Sequence, residues 1–292
     1  MTANNNLYFG KVAIIGVGLI GGSLALAMRE QGMTAEIVGV GRGTGNLEKA
    51  VELGIIDSYT TDVREGVSGA DLVFLAVPVL SIAGVIEAAA PALKPGAVVT
   101  DGGSVKETVL REVKKVLPPG VHFVAGHPIA GTEFSGAGAA FPSLYQGKKC
   151  ILTPDADTDT AALATVRGIW EAVGSNVTEM DPKTHDAILG AVSHLPHVIA
   201  YALVNTIAGT KAQERSAIDF SGGGFKDFTR IASSSPEMWK DICLMNRTAI
   251  VEVIERFQGE LETLKTHIKD GSSEGLKKDF GRAKQVRDTI KN

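Results

Sequence analysis

The sequence has few of the features that mark secreted or nucleic-acid-binding proteins. Only two cysteines occur among its 292 residues, Cys150 and Cys243, and they are far apart with no CxxC spacing. A disulfide framework and a cysteine metal site are therefore not indicated. No long basic run appears and the pI is about 5.9, so nothing suggests a nucleic-acid partner. The first ten residues lack a signal-peptide pattern, and a cytoplasmic location is expected.

Long hydrophobic runs are also scarce. The uncharged stretch between Lys11 and Arg29 approaches the lower limit of about 17 residues for a membrane span. Glycines crowd its first half and a strand-like segment opens it, which disfavours a membrane interpretation. No later stretch is long and apolar enough to cross a bilayer. The sequence predicts no membrane partner.

The same stretch, residues 12–29, reads VAIIGVGLIGGSLALAMR and contains Gly16, Gly18 and Gly21 in the GxGxxG spacing. A strand, a tight turn and a helix in this order are typical of a dinucleotide-binding βαβ unit. A pyrophosphate is expected at the helix N-terminus, where free N–H groups and the helix dipole favour anions. The candidate cofactor contacts are Gly16, Gly18, Leu19, Ile20, Gly21, Arg42, Val77 and Pro78.

Apolar strand patterns alternate with helical patterns up to Met180. Strands are predicted over residues 36–40, 71–77, 97–101, 121–125, 150–153 and 175–180, with helices between most of them. The continuous apolar run at 71–77 is typical of a strand buried on both faces of a parallel sheet. The predicted fold is therefore α/β, a Rossmann-type doubly wound and mostly parallel sheet, over residues 1–180.

Beyond Pro182 the strand patterns stop and long helical patterns follow, so residues 181–292 are predicted to form an all-α second domain. Its last long helix contains a heptad stripe, spaced 4, 3, 4, 3 and 4, of Ile250, Ile254, Phe257, Leu261, Leu264 and Ile268. Such a stripe more often packs within one subunit than between two. Its length nevertheless makes a dimer plausible.

The ribose position favours NADP over NAD. In NAD-binding units an acidic residue at the end of the second strand holds the ribose hydroxyls, whereas an arginine suits a 2′-phosphate. Here Gly41 and Arg42 follow that strand, and no carboxylate is available there. The alternative is that Arg42 is a solvated loop residue and the enzyme accepts either cofactor.

Three of the six histidines lie in two short motifs, His127 in GHPIAGTE and His194 and His197 in SHLPH. A buried core role is the commoner explanation for any one histidine, but this clustering favours function. A metal site at His194 and His197 is a weaker alternative because no third ligand is spaced with them. The GHPIAGTE stretch is predicted to be an irregular loop.

Two further segments contain candidate substrate contacts. Ser104 follows a predicted strand, so it is expected at the carboxyl edge of the sheet, where a helix N-cap is the simpler role. Lys226 and Arg230 are four residues apart after a glycine run. That spacing usually marks a solvated helix face, but the planar fork of an arginine is a natural partner for a carboxylate.

With these residues in place, the chain resembles the prephenate dehydrogenase family, which includes arogenate and cyclohexadienyl dehydrogenases of tyrosine biosynthesis. The resemblance covers residues 11–264. It rests on five ordered motifs, GVGLIGGS at 16–23, DGGSVK at 101–106, GHPIAGTE at 126–133, SHLPH at 193–197 and GGGFKDFTRIA at 222–232.

The resemblance implies an NAD(P)-dependent oxidative decarboxylation of prephenate to 4-hydroxyphenylpyruvate in a homodimer. It implies that His127 accepts the proton of the ring hydroxyl and that Ser104 hydrogen-bonds His127. It also implies substrate contacts from His197, Arg230, Glu133 and Trp239. The alternatives are an arogenate dehydrogenase, another hydroxy-acid dehydrogenase with a helical second domain, or a dinucleotide sensor without catalysis.

Overall fold

A computed structural model of the protein describes residues 7–132, 134–212 and 214–290, and the described residues up to 180 alternate strands with helices. The strands are β1 (Phe9–Ile15), β2 (Thr34–Val40), β3 (Ser58–Thr60), β4 (Leu72–Leu75), β5 (Val98–Asp101), β6 (His122–Val124), β7 (Gly126–Pro128), β8 (Lys149–Leu152) and β9 (Asn176–Glu179). The helices are α1 (Leu19–Glu30), α2 (Thr44–Glu52), α3 (Val63–Val67), α4 (Ile82–Ala89), α5 (Glu107–Val113) and α6 (Thr160–Ala172).

Six strands form one parallel sheet in the order β3-β2-β1-β4-β5-β6. All four residues of β4 are buried because helices cover both faces of the sheet. On one face α1 and α6 pack against the sheet in a core that includes Phe74 of β4 and Trp170 of α6. On the other face α4 and α5 contribute Ile82 and Val109 to a second core. The predicted Rossmann-type fold is confirmed.

The last two predicted strands do not join this sheet. They form β8 and β9 of a separate three-stranded sheet, in which β7 is antiparallel and β9 parallel to β8. The predicted loop at GHPIAGTE is therefore wrong for its first three residues, because Gly126, His127 and Pro128 pair with Leu152, Ile151 and Cys150. The short elements β3 and α3 were not predicted.

The chain beyond residue 180 is mainly helical, as predicted. Its elements are α7 (Pro182–Leu189), α8 (Leu195–Ala208), β10 (Lys211–Ala212), β11 (Arg215–Ser216), α9 (Gly223–Thr229), α10 (Pro236–Met245), α11 (Arg247–Lys269) and α12 (Ser273–Asp288). The only departure from helices and turns in the described part of this half is β10 with β11, a two-residue antiparallel pair.

One turn of π-helix, Gly190–His194, joins α7 to α8 into a continuous helical run, Pro182–Ala208. This 27-residue run has a window of mean hydropathy 1.6, of which only 22% is buried, so by length and composition alone it could cross a membrane. The prediction that no later stretch meets these criteria is wrong. The run nevertheless contributes buried polar side chains, His185, Asp186 and His194, to contacts with the rest of the fold.

The heptad stripe of α11 is only partly covered. Ile250 is buried beside the sheet domain, whereas Leu261 is 49% exposed and Ile268 is 66% exposed. Helix α12 packs back along α11, where Arg282 contacts Glu260. The far end of the stripe therefore remains available to another surface.

Candidate active site

The glycine motif forms a turn at the carboxyl end of β1 and the start of α1. Gly16 has φ +95°, and a Cβ there would lie 2.3 Å from the Ala76 carbonyl oxygen. A Cβ on Gly21 would lie 2.2 Å from the Gly16 carbonyl oxygen, so helix and strand approach more closely than a side chain allows. By contrast, nothing lies within 4 Å of a Cβ built on Gly18, and no side chain caps the first turn of α1. This arrangement fits a pyrophosphate at Gly18.

The other candidate cofactor residues lie along the same edge of the sheet. Leu19 is buried and Ile20 half-buried in the first turn of α1. Val77 and Pro78 follow the carboxyl end of β4, and the Val77 side chain lies beside Gly16. Arg42 follows β2 and is exposed, without a side-chain partner in the described parts of the chain.

A buried ion pair fixes the start of β7, next to His127. Asp101, at the carboxyl end of β5, pairs with the Lys106 ammonium, and both side chains are fully buried. Lys106 Nζ also donates to the Gly126 carbonyl at 2.7 Å, while the Gly126 amide donates to Asp101 Oδ1 at 3.1 Å. Both sides of the Gly126 backbone are thus held, which sets the position of the next residue, His127.

The ring of His127 contacts the helical half of the protein. Its Nδ1 lies 2.9 Å from Nε2 of His185 on α7, and His185 Nδ1 lies 2.8 Å from Asp186 Oδ1. The Asp186 carboxylate also accepts the backbone N–H groups of Lys106 at 2.8 Å and Glu107 at 3.0 Å. This carboxylate therefore links the start of α5 in the first half to α7 in the second.

Ser104 does not contribute the predicted hydrogen bond. The Nδ1 atom of His127 pairs with His185 instead, and no hydrogen bond between Ser104 and His127 occurs among the described residues. Ser104 is half-buried in the turn between β5 and α5, and its backbone lies beside His194. Ser104 therefore lies just beyond the carboxyl end of β5, as expected, and its predicted hydrogen bond to His127 is not observed.

The SHLPH motif places its two histidines in different settings. His194 is fully buried, and its Nδ1 lies 3.0 Å from Asn246 Nδ2. His197 Nδ1 donates to the Ser193 carbonyl at 2.9 Å, and its ring stacks on Trp239 with centroids 3.8 Å apart. Because the two rings have different partners, the metal-ligand alternative has no support from their geometry.

Two further predicted substrate residues lie in a segment that packs against α8. Arg230 and Lys226 are exposed on α9 and the turn after it, and neither has a side-chain hydrogen bond or ion pair within the described ranges. The turn packs against α8, where Tyr201 OH donates to the Ser234 carbonyl at 2.7 Å. Glu133 lies outside the described residues.

Burial keeps the histidines of this group neutral. It lowers the pKa of His127 well below the usual imidazole value, and His185 and the Lys106 ammonium act in the same direction. Burial likewise lowers the pKa of His194 to about 4 and lowers the pKa of His197. A neutral imidazole at pH 7 is able to accept a proton, which is the property that a general base requires.

Sequence reasoning missed four residues of the site. Asp101 and Lys106 lie within the DGGSVK motif but were not singled out, and His185 and Asp186 lie outside every motif. The available signal was an adjacent histidine and aspartate three residues after Pro182, where the helical half begins. Only the packing of α7 against α5 brings them to His127.

A dinucleotide turn and a neutral histidine at the carboxyl edge of a Rossmann-type sheet, covered by a helical domain, define a nicotinamide-dependent dehydrogenase. Two family models match the chain, "Prephenate dehydrogenase, nucleotide-binding domain" over residues 24–179 and "Prephenate dehydrogenase, dimerization domain" over residues 181–282. The chain therefore belongs to the prephenate dehydrogenase family. It is an NAD(P)-dependent oxidoreductase of tyrosine biosynthesis.

Individual relatives are similar over nearly their whole length. The cyclohexadienyl dehydrogenase of Zymomonas mobilis is 38% identical over 97% of both chains. The crystal structure of prephenate dehydrogenase from Aquifex aeolicus with hydroxyphenyl propionate and NAD+ has a TM-score of 0.91 and 41% identity, covering 97% of this chain and 98% of that one. The Synechocystis arogenate dehydrogenase structure has a TM-score of 0.80 and 30% identity, covering 95% of this chain and 99% of that one.

Proposed function

We propose that His127 is the general base of an oxidative decarboxylation of prephenate. The observation that supports this role is that the half-buried His127 bonds through Nδ1 only, so Nε2 is unpaired within the described residues. Nε2 takes the proton of the ring hydroxyl as the hydrogen on the same ring carbon leaves as hydride. The C–C bond to the ring carboxylate then breaks and releases carbon dioxide, its electron pair makes the ring aromatic and the ring oxygen a phenolate, and that oxygen takes the proton back from His127.

The nicotinamide, when bound, accepts the hydride. The Gly16–Gly21 turn would hold the pyrophosphate of the dinucleotide, with Leu19, Ile20, Val77 and Pro78 beside the turn. Orientation of the reacting groups and binding of the substrate anions are then the tasks of the protein. Ser104 lies at the same edge of the sheet and is proposed to contact the substrate.

Arg230 is proposed to clamp the side-chain carboxylate of the substrate. Its guanidinium is exposed and unpaired in the described part of the chain, and its turn is packed against α8, which contains His197. Lys226, one helical turn earlier, adds positive charge. The ring carboxylate leaves as neutral carbon dioxide, so a strong clamp on that group would stabilise the ground state more than the transition state.

His197 and Trp239 are proposed to line the substrate site as a stacked pair. Because His197 Nδ1 donates to the Ser193 carbonyl, the neutral ring presents only an acceptor at Nε2. Contact with a substrate carboxylate therefore requires the protonated ring, and a bound anion favours that form. The buried Trp239 Nε1 has no partner in the described residues and is a further donor. Glu133 keeps its predicted role in the pocket as a proposal from the motif alone.

NADP is proposed as the preferred cofactor. Gly41 stands where an acidic ribose ligand is expected, and the exposed Arg42 beside it suits a 2′-phosphate. The test is a steady-state comparison of prephenate and arogenate, each with NAD and NADP, for the wild type and Arg42→Ala. We expect Arg42→Ala to lower kcat/KM with NADP about tenfold and to leave the NAD value within twofold. Preference for NAD in the wild type, unchanged by the substitution, would refute this assignment.

A homodimer formed through residues 181–292, with the domain boundary at residues 180 and 181, is also proposed. The exposed end of the α11 stripe, the poorly buried helical run Pro182–Ala208 and the description of the second family model support it. Light scattering should give twice the protomer mass of 30.5 kDa.

A cytoplasmic location is proposed as well, in keeping with the two free cysteines.

A further inference from the structure

A hydrogen-bonded row of three side chains ends at the proposed base. Asp186 Oδ1 lies 2.8 Å from His185 Nδ1, and His185 Nε2 lies 2.9 Å from His127 Nδ1. His185 is fully buried and Asp186 nearly so, while His127 is half-buried. His185 thus bonds through both ring nitrogens and His127 through Nδ1. The direction of each hydrogen bond follows from the partners of these atoms.

The direction of the first bond is set by Asp186. Both of its oxygens accept backbone N–H groups, Oδ1 from Lys106 and Oδ2 from Glu107, which identifies the group as an acceptor. His185 Nδ1 therefore bears the hydrogen of the bond to Oδ1. A neutral imidazole with hydrogen on Nδ1 has only a lone pair at Nε2.

The direction of the second bond follows from the first. Since His185 Nε2 is an acceptor, the hydrogen between the two rings belongs to His127 Nδ1. The lone pair of His127 is then at Nε2, the nitrogen left free to receive a proton. The opposite arrangement, with the hydrogen on His127 Nε2, would leave two lone pairs facing each other at 2.9 Å.

We propose that His185 is a positioning residue that holds His127 in the tautomer with hydrogen on Nδ1, so that Nε2 is the base. His185 does this without touching the substrate. The inference rests on the proposed role of His127 and extends it to the helical half of the protein. Because Asp186 also binds the start of α5, the packing of α7 on α5 sets the tautomer of the base.

The arrangement requires a neutral His185, and its charged neighbours act in both directions. Burial and the Lys106 ammonium lower the pKa of His185, whereas the Asp186 and Asp101 carboxylates raise it, and the balance is a lowered pKa. A protonated His185 would donate to His127 Nδ1 and force the hydrogen of His127 onto Nε2. The base would then be lost before His127 itself is protonated.

The test compares His185→Phe, which removes the acceptor, with His185→Gln, whose carboxamide is able to accept from His127 and donate to Asp186. Histidine-labelled protein is examined by 15N NMR, with the His127 signals assigned by their loss in His127→Asn. The kcat, KM and pH profile are measured with prephenate. His122→Phe is the matched control, because His122 on β6 is partly exposed and its nearest acidic partner, Asp159, is 4.0 Å away.

The wild type should show His127 protonated at Nδ1 and unprotonated at Nε2. His185→Phe should shift the ring toward the other tautomer and lower kcat by roughly 10- to 100-fold with KM within about threefold, since the base contributes about 10² to 10⁴ in rate. His185→Gln should recover most of the rate, and His122→Phe should match the wild type. The acidic limb of the profile should move to lower pH in His185→Phe, because protonation of His185 no longer removes the base and burial still lowers the pKa of His127.

A wild-type spectrum with hydrogen on His127 Nε2 would overturn the proposal, and so would a His185→Phe variant with unchanged tautomer and kcat. Failure of both His185 variants to fold leaves the wild-type spectrum to decide the matter. The spectrum requires no turnover. If the wild type failed to reduce a nicotinamide with prephenate, the proposed function would fail while the tautomer assignment was still judged independently.

Discussion

His127 is held at its backbone and at its ring by separate groups. Its backbone pairs with Ile151 in β8, and the preceding Gly126 is fixed by Asp101 and Lys106. Its ring is held by His185. A side chain fixed in this way loses little freedom when a substrate binds, which is the condition for efficient proton transfer.

Replacing His127 with Asn should lower kcat by two or more orders of magnitude, with KM changed less than threefold. An asparagine retains a polar side chain in a small volume but has no basic nitrogen, and a positioned base typically contributes 10² to 10⁴ in rate. Steady-state kinetics with prephenate measure both constants. His122→Asn, at a histidine outside the site, should leave them unchanged. Retention of most of kcat by His127→Asn would remove His127 from the base role.

Arg230→Ala should raise KM for prephenate by roughly 10- to 100-fold and change kcat much less. Charge-assisted hydrogen bonds contribute about 1.5–3 kcal/mol, and a clamp on the side-chain carboxylate acts on ground state and transition state alike. Arg230→Lys should have a KM between those of the wild type and Arg230→Ala, because a lysine keeps the charge without the planar fork. Arg111→Ala, which removes an exposed arginine from α5, is the control. An unchanged KM in Arg230→Ala would contradict the clamp.

At the scale of elements, helices and strands are predicted best where a clear apolar pattern extends over several residues. The strands β1, β2, β4, β5 and β6 and the helices around them follow from apolar runs and glycine breaks. The three residues of β7 were missed because Gly-His-Pro has no strand period, and only the ladder to β8 makes it a strand. The short elements β3 and α3 have too few residues to show a period.

The site was predictable in its motifs and not in its connections. Gly16, His127 and His197 stand out by local context, whereas His185 and Asp186 reach His127 from 58 and 59 positions further along the chain. The π turn at Gly190–His194 likewise has no periodic signature, although His194 lies within it and His197 follows it by three residues. Such contacts depend on how α7 and α8 pack, which spacing alone does not encode.

Two glycines of the dinucleotide turn should respond differently to substitution. Gly18→Val should leave the unfolding free energy within about 0.5 kcal/mol, because open space surrounds a Cβ there, but should raise KM for the cofactor at least tenfold. Gly21→Ala should destabilise the fold by about 1–3 kcal/mol, because its Cβ would overlap the Gly16 carbonyl oxygen. Urea unfolding and cofactor titration separate the two effects. Loss of stability in Gly18→Val with cofactor affinity intact would contradict the assignment of the turn.

At the scale of the whole molecule, the buried neutral histidines make stability depend on pH. The pKa of His194 is about 4 in the folded protein and about 6.5 when unfolded, so below pH 6.5 the unfolded chain binds more protons. Stability should therefore fall as pH decreases from 6.5 to 4 and then level off for this group. His127, His185 and His197, whose pKa values are also lowered, act with the same sign.

The expected loss from His194 is roughly 3 kcal/mol at most, from its change in pKa. Urea unfolding at pH 7.5, 6, 5 and 4 measures the dependence. His194→Leu should be less stable at pH 7.5, because Asn246 loses its acceptor, but should show a flatter decline between pH 6.5 and 4. Equal slopes in the two proteins would show that His194 does not titrate as assigned.

The protein places the dinucleotide turn at the carboxyl end of β1, the ring of His127 against α7, and the segment with Lys226 and Arg230 against α8. The measurement that tests this account most directly is the stoichiometry of the reaction of the purified protein with prephenate and oxidised nicotinamide. One reduced nicotinamide, one carbon dioxide and one 4-hydroxyphenylpyruvate should form for each prephenate consumed. No nicotinamide reduction, or reduction without release of carbon dioxide, would contradict the account.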